Sequence, residues 1–178
     1  MRAVQLLMAN SQNRDGVLRE GLNMSTTEFT YVTYINAMPQ KVWDALLDNE
    51  MIKQYWGRHK NVSDWKVGSI WLHQDYDTDA TDIEGKVVEV EEPKRLVLTW
   101  VGATDALRSE KPSRITFNVE PFLDVTRLTL THDELEPGSK MLEGIKAGWP
   151  GVLSSLKTLL ETGSPLRMTT KRWNGPPE

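Results

Sequence analysis

Residues 85–100 read GKVVEVEEPKRLVLTW. Two runs of alternating apolar residues, 83–91 and 95–101, flank Glu92-Pro93-Lys94, which predicts a β-hairpin closed by a tight turn. In the second run Leu96, Leu98 and Trp100 fall on one side, because strand side chains repeat every second residue. The same period returns in residues 69–76 before the hairpin, and in 114–120 and 125–132 after it. Ile115, Phe117 and Val119 share one face. Leu128, Leu130 and His132 share another, with Arg127, Thr129 and Thr131 opposite. Residues 29–35, rich in Tyr, Val and Thr, add a strand upstream. Turn residues separate consecutive runs, so an antiparallel meander with one apolar and one wet face is the economical topology.

An apolar sheet face needs a cover, and two segments change period to supply it. Pro39 suits a first helical position, and Val42, Trp43, Leu46 and Leu47 follow at helical spacing. Ile52, Tyr55 and Trp56 continue into a second short helix. Residues 140–162 place Met141, Ile145, Trp149, Val152, Leu156 and Leu160 on one stripe. Gly144, Gly148 and Gly151 lie along its edge, and Pro150 interrupts the ladder. An interior Gly costs about 1 kcal/mol relative to Ala, and an interior Pro about 3. Two readings stay open: the glycines let the helix lie close on the sheet, or they keep space open beneath it. Pro150 likewise either sits inside one helix or starts a second one. The expected class is α+β: a curved antiparallel sheet of about six strands around a long C-terminal helix, with two short helices after the first strand.

The 178 residues suffice for one domain. Residues 1–23 are polar and Gly-punctuated over 10–23, and read as a disordered or misannotated leader. Residues 24–162 form the expected domain. Residues 163–178, with Pro165, Pro176, Pro177 and two glycines, are expected to leave it as a flexible tail. No cysteine is present, which excludes disulfides, thiolate metal sites and a cysteine nucleophile. Lys and Arg number 21 against 25 Asp and Glu, so the net charge of −4 disfavours nucleic acid. No apolar run approaches the ~18 residues of a membrane span. A cytoplasmic location is the expectation.

Several strings resemble the activator of heat-shock-protein-90 ATPase homologue family, part of the START-like, polyketide-cyclase and lipid-transport superfamily. They are PQKVWDALLDNEMIKQYW at 39–56, KVGSIW at 66–71, the hairpin at 85–100, TRLTLTH at 126–132 and GWPGVLSSLKTLLE at 148–161. They occur in the family's order and span residues 28–162. Ser69, Glu92 and Pro150 depart from the pattern. The resemblance implies a helix-grip fold with a largely apolar cavity between the sheet and the C-terminal helix. It also implies three kinds of role: holding a lipid, polyketide or aromatic compound, catalysing cyclisation or dehydration, or working beside a chaperone.

The residues themselves favour binding over catalysis. Classical nucleophile, nucleotide and metalloprotease motifs are absent. Asp75-Tyr76-Asp77-Thr78-Asp79 imitates the start of a calcium loop, but Ala80 and Lys86 stand where Gly and Glu are needed, so a solvated hairpin is preferred. No cofactor and no metal site are expected. Trp56, Trp100 and Trp149 are placed where helix and sheet ends meet, as cavity walls. Trp71, His73, Leu98, Phe117, Leu130, His132, Met141 and Ile145 complete the candidate ligand-binding set. A His on an apolar face is more often a hydrogen-bonded core residue than a catalyst. His132 is nonetheless the one candidate for a pocket base, whose pKa burial or a carboxylate would tune. Each buried methylene contributes ~0.8 kcal/mol while association costs at least ~4, so a plain ten-carbon chain binds only near millimolar. An amphiphile with a polar anchor is the better fit. The primary expectation is a binding protein for a small hydrophobic or amphiphilic molecule. The alternatives are a cyclase, dehydratase or hydrolase using His132, and an interaction module for a chaperone or transcription repressor. Exposed strand edges leave a homodimer open.

Overall fold

The computed structural model describes residues 27–108 and 110–171; the expected leader and residues 172–178 lie outside them. Seven strands form one antiparallel sheet: β1 (Thr27–Ile35), β2 (His59–Val62), β3 (Ile70–Asp75), β4 (Thr81–Glu91), β5 (Arg95–Gly102), β6 (Ser113–Phe122) and β7 (Val125–Leu135). Their spatial order is β1-β7-β6-β5-β4-β3-β2. Helices α1 (Pro39–Leu47) and α2 (Asn49–Tyr55) follow β1, α3 (Asp105–Arg108) precedes β6, and α4 (Lys140–Thr162) follows β7. The helix-grip order expected from the sequence is therefore present.

Register explains the apolar face. Leu98 pairs with Ile115, and Phe117 pairs with Leu130. All four are buried, together with Leu96, Val119 and Leu128. Trp71 crosses the bare backbone of Gly85 and donates its indole N–H to the Thr99 carbonyl at 2.9 Å. A Cβ at Gly85 would sit 1.9 Å from that carbonyl oxygen, so glycine is required there. On the opposite face Arg114 makes paired hydrogen bonds to Asp133, at 3.0 and 2.8 Å.

β2 is the strand that the alternation did not signal. Its buried positions are His59 and Asn61, so polar side chains occupy the sites where an apolar pattern would have marked it. It pairs with β3, placing Asn61 opposite His73. The acidic string at 75–79 closes β3 to β4. Asp75 accepts from the Thr78 amide and hydroxyl, both at 2.8 Å, while Asp77 pairs with Arg58 and Asp79 with Lys60.

α4 is one helix that runs through Pro150. Proline has no N–H, so the Lys146 carbonyl lacks its usual donor, at a residue that faces solvent. Ser139 caps the start by accepting from the Leu142 amide at 3.1 Å. Gly163, with φ 79°, ends the helix in the left-handed conformation.

The chain beyond Gly163 corrects an expectation. Residues 164–171 turn back onto the domain instead of leaving it. Thr169 is buried; its hydroxyl lies 2.6 Å from that of Ser155, and its carbonyl accepts from the Gly57 amide at 2.9 Å. Met168 lies over Gly151, with its terminal carbon 3.0 Å from where a Cβ would stand. The anchors are small polar residues on both sides, which composition reads as solvated tail. Among the described residues no helix is long and apolar enough to cross a membrane.

Candidate ligand-binding site

Three tryptophans converge from separate elements. Trp56 caps the end of α2, Trp100 lies near the end of β5, and Trp149 projects from the middle of α4. The Trp56 and Trp149 ring centres are 4.9 Å apart, and those of Trp100 and Trp149 are 5.6 Å apart. Beside them is a hollow of about 190 Å³, completed by Ile83, Leu107, Met141, Ile145, Val152 and the bare backbones of Gly144 and Gly148. Lys140, exposed at the start of α4, belongs to the same lining. A Cβ built on Gly144 or Gly148 meets no atom within 4 Å. At these two positions the glycines leave open space; at Gly151 they allow the close approach of Met168.

A second hollow of about 180 Å³ also borders Trp56. It shares Trp56, Gly148 and Val152 with the first, and adds Gly57, His59, His73, Asp82 and Thr169. His59 and His73 stack with ring centres 4.4 Å apart and planes within 9°. His59 Nε2 is 2.8 Å from Asp82 Oδ2, and its Nδ1 is 3.2 Å from the Trp56 carbonyl. His73 Nδ1 is 2.7 Å from Asn61 Oδ1. Burial, reinforced by the neighbouring His59, holds the His73 pKa well below the ordinary histidine value.

His132 has a different setting. It is fully buried, beside Trp100 and Trp149 of the first hollow. The Trp149 indole N–H donates to its Nδ1 at 3.3 Å. Its Nε2 lies 2.8 Å from the Ser113 hydroxyl, which in turn reaches the Trp100 carbonyl at 3.4 Å. An indole nitrogen only donates, so Nδ1 must accept and Nε2 must carry the proton. The ring is neutral, and burial pushes its pKa down to about 3. One polar atom in this wall is left over: the Trp100 indole N–H is buried with no partner among the described residues.

Residues 36–161 match the family of Activator of Hsp90 ATPase homolog 1-like proteins. The chain belongs to that family. Solved structures agree on the fold. CalU16 from Micromonospora echinospora is similar with a TM-score of 0.63 at 21% identity, covering 79% of this chain and 77% of that one. The Aha1 dimer from Colwellia psychrerythraea gives a TM-score of 0.60 at 21% identity, covering 77% and 98%. PFC0360w, an HSP90 activator from Plasmodium falciparum, gives 0.61 at 20% identity, covering 75% and 95%. Comparison with curated proteins yields no match.

Within this family member, the candidate residues divide into three groups. Trp56, Trp100, Met141, Ile145 and Trp149 line the first hollow, and His73 lines the second. Trp71, Leu98, Phe117, Leu130 and His132 are packed into the core around them. Sequence reasoning did not name Ile83, Leu107 or Lys140 for the lining, nor His59 and Asp82. The helix glycines were the legible signal; the His59–Asp82 contact joins residues 23 apart in sequence and has no local signature.

Proposed function

We propose that the chain binds a small hydrophobic or amphiphilic molecule, of lipid, polyketide or aromatic type, in the hollow between the sheet and α4, without covalent chemistry. The observation that carries this reading is the open space at Gly144 and Gly148 beside Trp56, Trp100 and Trp149. Two helix-weakening residues stand where alanine would fit, at about 1 kcal/mol each. An apolar cavity of ~150 Å³ accepts benzene, so the first hollow suits an aromatic ring or a short alkyl chain. The unpartnered Trp100 N–H, worth ~1–3 kcal/mol when orphaned, favours a ligand that also brings an acceptor atom. Lys140 in the lining favours a polar or acidic end. Catalysis by His132 has less support, because both its ring nitrogens are engaged within the core. The test is native mass spectrometry and thermal shift of the intact chain against lipids, aromatic acids and alkylphenols. Saturable one-to-one binding that raises the melting temperature supports the reading, and uniform silence across all three classes refutes it.

A second reading is contact with a chaperone of the Hsp90 class. It draws on the family and on an exposed apolar group: Val32, Tyr34, Phe122 and Leu123, with the Tyr34 and Phe122 rings 5.1 Å apart. Stimulation of a purified chaperone's ATPase, lost on Leu123→Asp, is the corresponding test.

A further inference from the structure

We infer that the two hollows are the halves of one binding site divided by the Trp56 indole, and that the second half takes the hydroxyl of an aromatic alcohol on His73 Nε2. This rests on the ligand-binding reading above and specifies its ligand.

The first ground is shape. The hollows adjoin at Trp56, Gly148 and Val152, and the Trp56 ring lies 4.5 Å from that of His73 in the second and 4.9 Å from that of Trp149 in the first. Each alone is smaller than the ~300 Å³ at which ligand pockets usually begin, and together they exceed it. Trp56 is half-buried and leads into Gly57 and Arg58, both at positive φ, so its ring is set by a turn and not by a regular element.

The second ground is hydrogen-bond accounting. Asn61 Oδ1 can only accept, so His73 Nδ1 carries the proton and Nε2 holds a lone pair. No hydrogen bond among the described residues engages that nitrogen, and the residue is buried, with a relative exposure of 5%. His59 stacked on one face already uses both its nitrogens, on Asp82 and on the Trp56 carbonyl. Thr169 is committed to Ser155 and the Leu166 carbonyl. The polar capacity that His73 offers a ligand is therefore an acceptor, which selects a donor. A buried neutral imidazole keeps that lone pair across the ordinary pH range. The rest of the same ligand would lie past Trp56, among Trp100, Trp149 and the bare helix face at Gly144.

The test uses isothermal titration of the intact chain with para-hexylphenol, para-hexylanisole and hexylbenzene. The expected result is binding of all three, with the phenol ~10-fold tighter than the anisole. In His73→Phe, which keeps an aromatic ring, that preference should fall below ~3-fold, the ratio of phenol to anisole affinity being read within the variant itself. Equal affinity for phenol and anisole in the wild type overturns the hydroxyl assignment and leaves the cavity reading standing. A preference for the anisole overturns it as well, because Nε2 would then carry the proton. Failure of all three to bind removes both. The wild-type comparison decides the matter even if His73→Phe does not fold.

Discussion

The indole N–H of Trp149 donates to Nδ1 of His132 across 3.3 Å, joining the middle of α4 to β7. The bond ties the protonation state of a core histidine to the seating of the helix that lines the first hollow.

A pH dependence follows. In the unfolded chain His132 titrates near 6.5, whereas in the folded chain burial lowers its pKa to about 3. Between those values the unfolded state binds more protons, so stability rises with pH. The contribution is fully present above about 6.5 and is lost progressively as the pH falls toward 3, at ~1.4 kcal/mol per pH unit. His73 is shifted in the same direction. Histidine NMR should show His132 in the Nε2–H neutral form from pH 7 down to pH 4, with unfolding free energy falling over that range. A His132 midpoint near 6 in the folded state would contradict the assignment.

Trp149→Phe keeps an aromatic ring but removes the donor to His132. It should cost about 1–3 kcal/mol in urea unfolding, the range for orphaning a buried polar partner. A loss under ~0.5 kcal/mol would mean that the contact carries little.

The glycines divide by what surrounds them. Gly144→Ala and Gly148→Ala add a methyl that meets nothing, so each should gain ~0.5–1 kcal/mol of helix stability. Gly85→Ala drives a methyl into the Thr99 carbonyl and the Trp71 indole and should lose about 1–3 kcal/mol or more. Thermal unfolding of the three variants, moving in opposite directions, checks both statements.

Thr169→Val removes the hydroxyl that meets Ser155, also buried, while keeping the shape. It should cost about 1–3 kcal/mol and increase proteolysis after Gly163. An unchanged stability would mean that residues 164–171 rest on the domain without supporting it.

The sheet and α4 were legible because β3 to β7 obey a period of two and α4 carries a continuous apolar stripe. The walls of the first hollow were legible for the same reason: Trp100, Trp149, Met141 and Ile145 sit in phase with those patterns. What escaped is polar and non-local. β2 buries His59 and Asn61, which periodicity reads as exposed, and Thr169 reaches Ser155 through hydrogen bonds that no apolar pattern announces. Trp71, Leu98, Phe117, Leu130 and His132 share the inward phase of the lining residues. Phase marks the inner face of a strand but does not tell which inward residues reach the hollow and which are covered by the next layer.

Whether the space beneath α4 receives a ligand is decided by titrating para-hexylphenol into the wild type and into Gly148→Leu. Gly148 borders both hollows, so a leucine there fills the space that a ligand would use. Saturable one-site heat is expected in the wild type, with at least ~10-fold weaker binding in a stably folded Gly148→Leu. Equal affinity in the two proteins, or no saturable heat in the wild type, would contradict it.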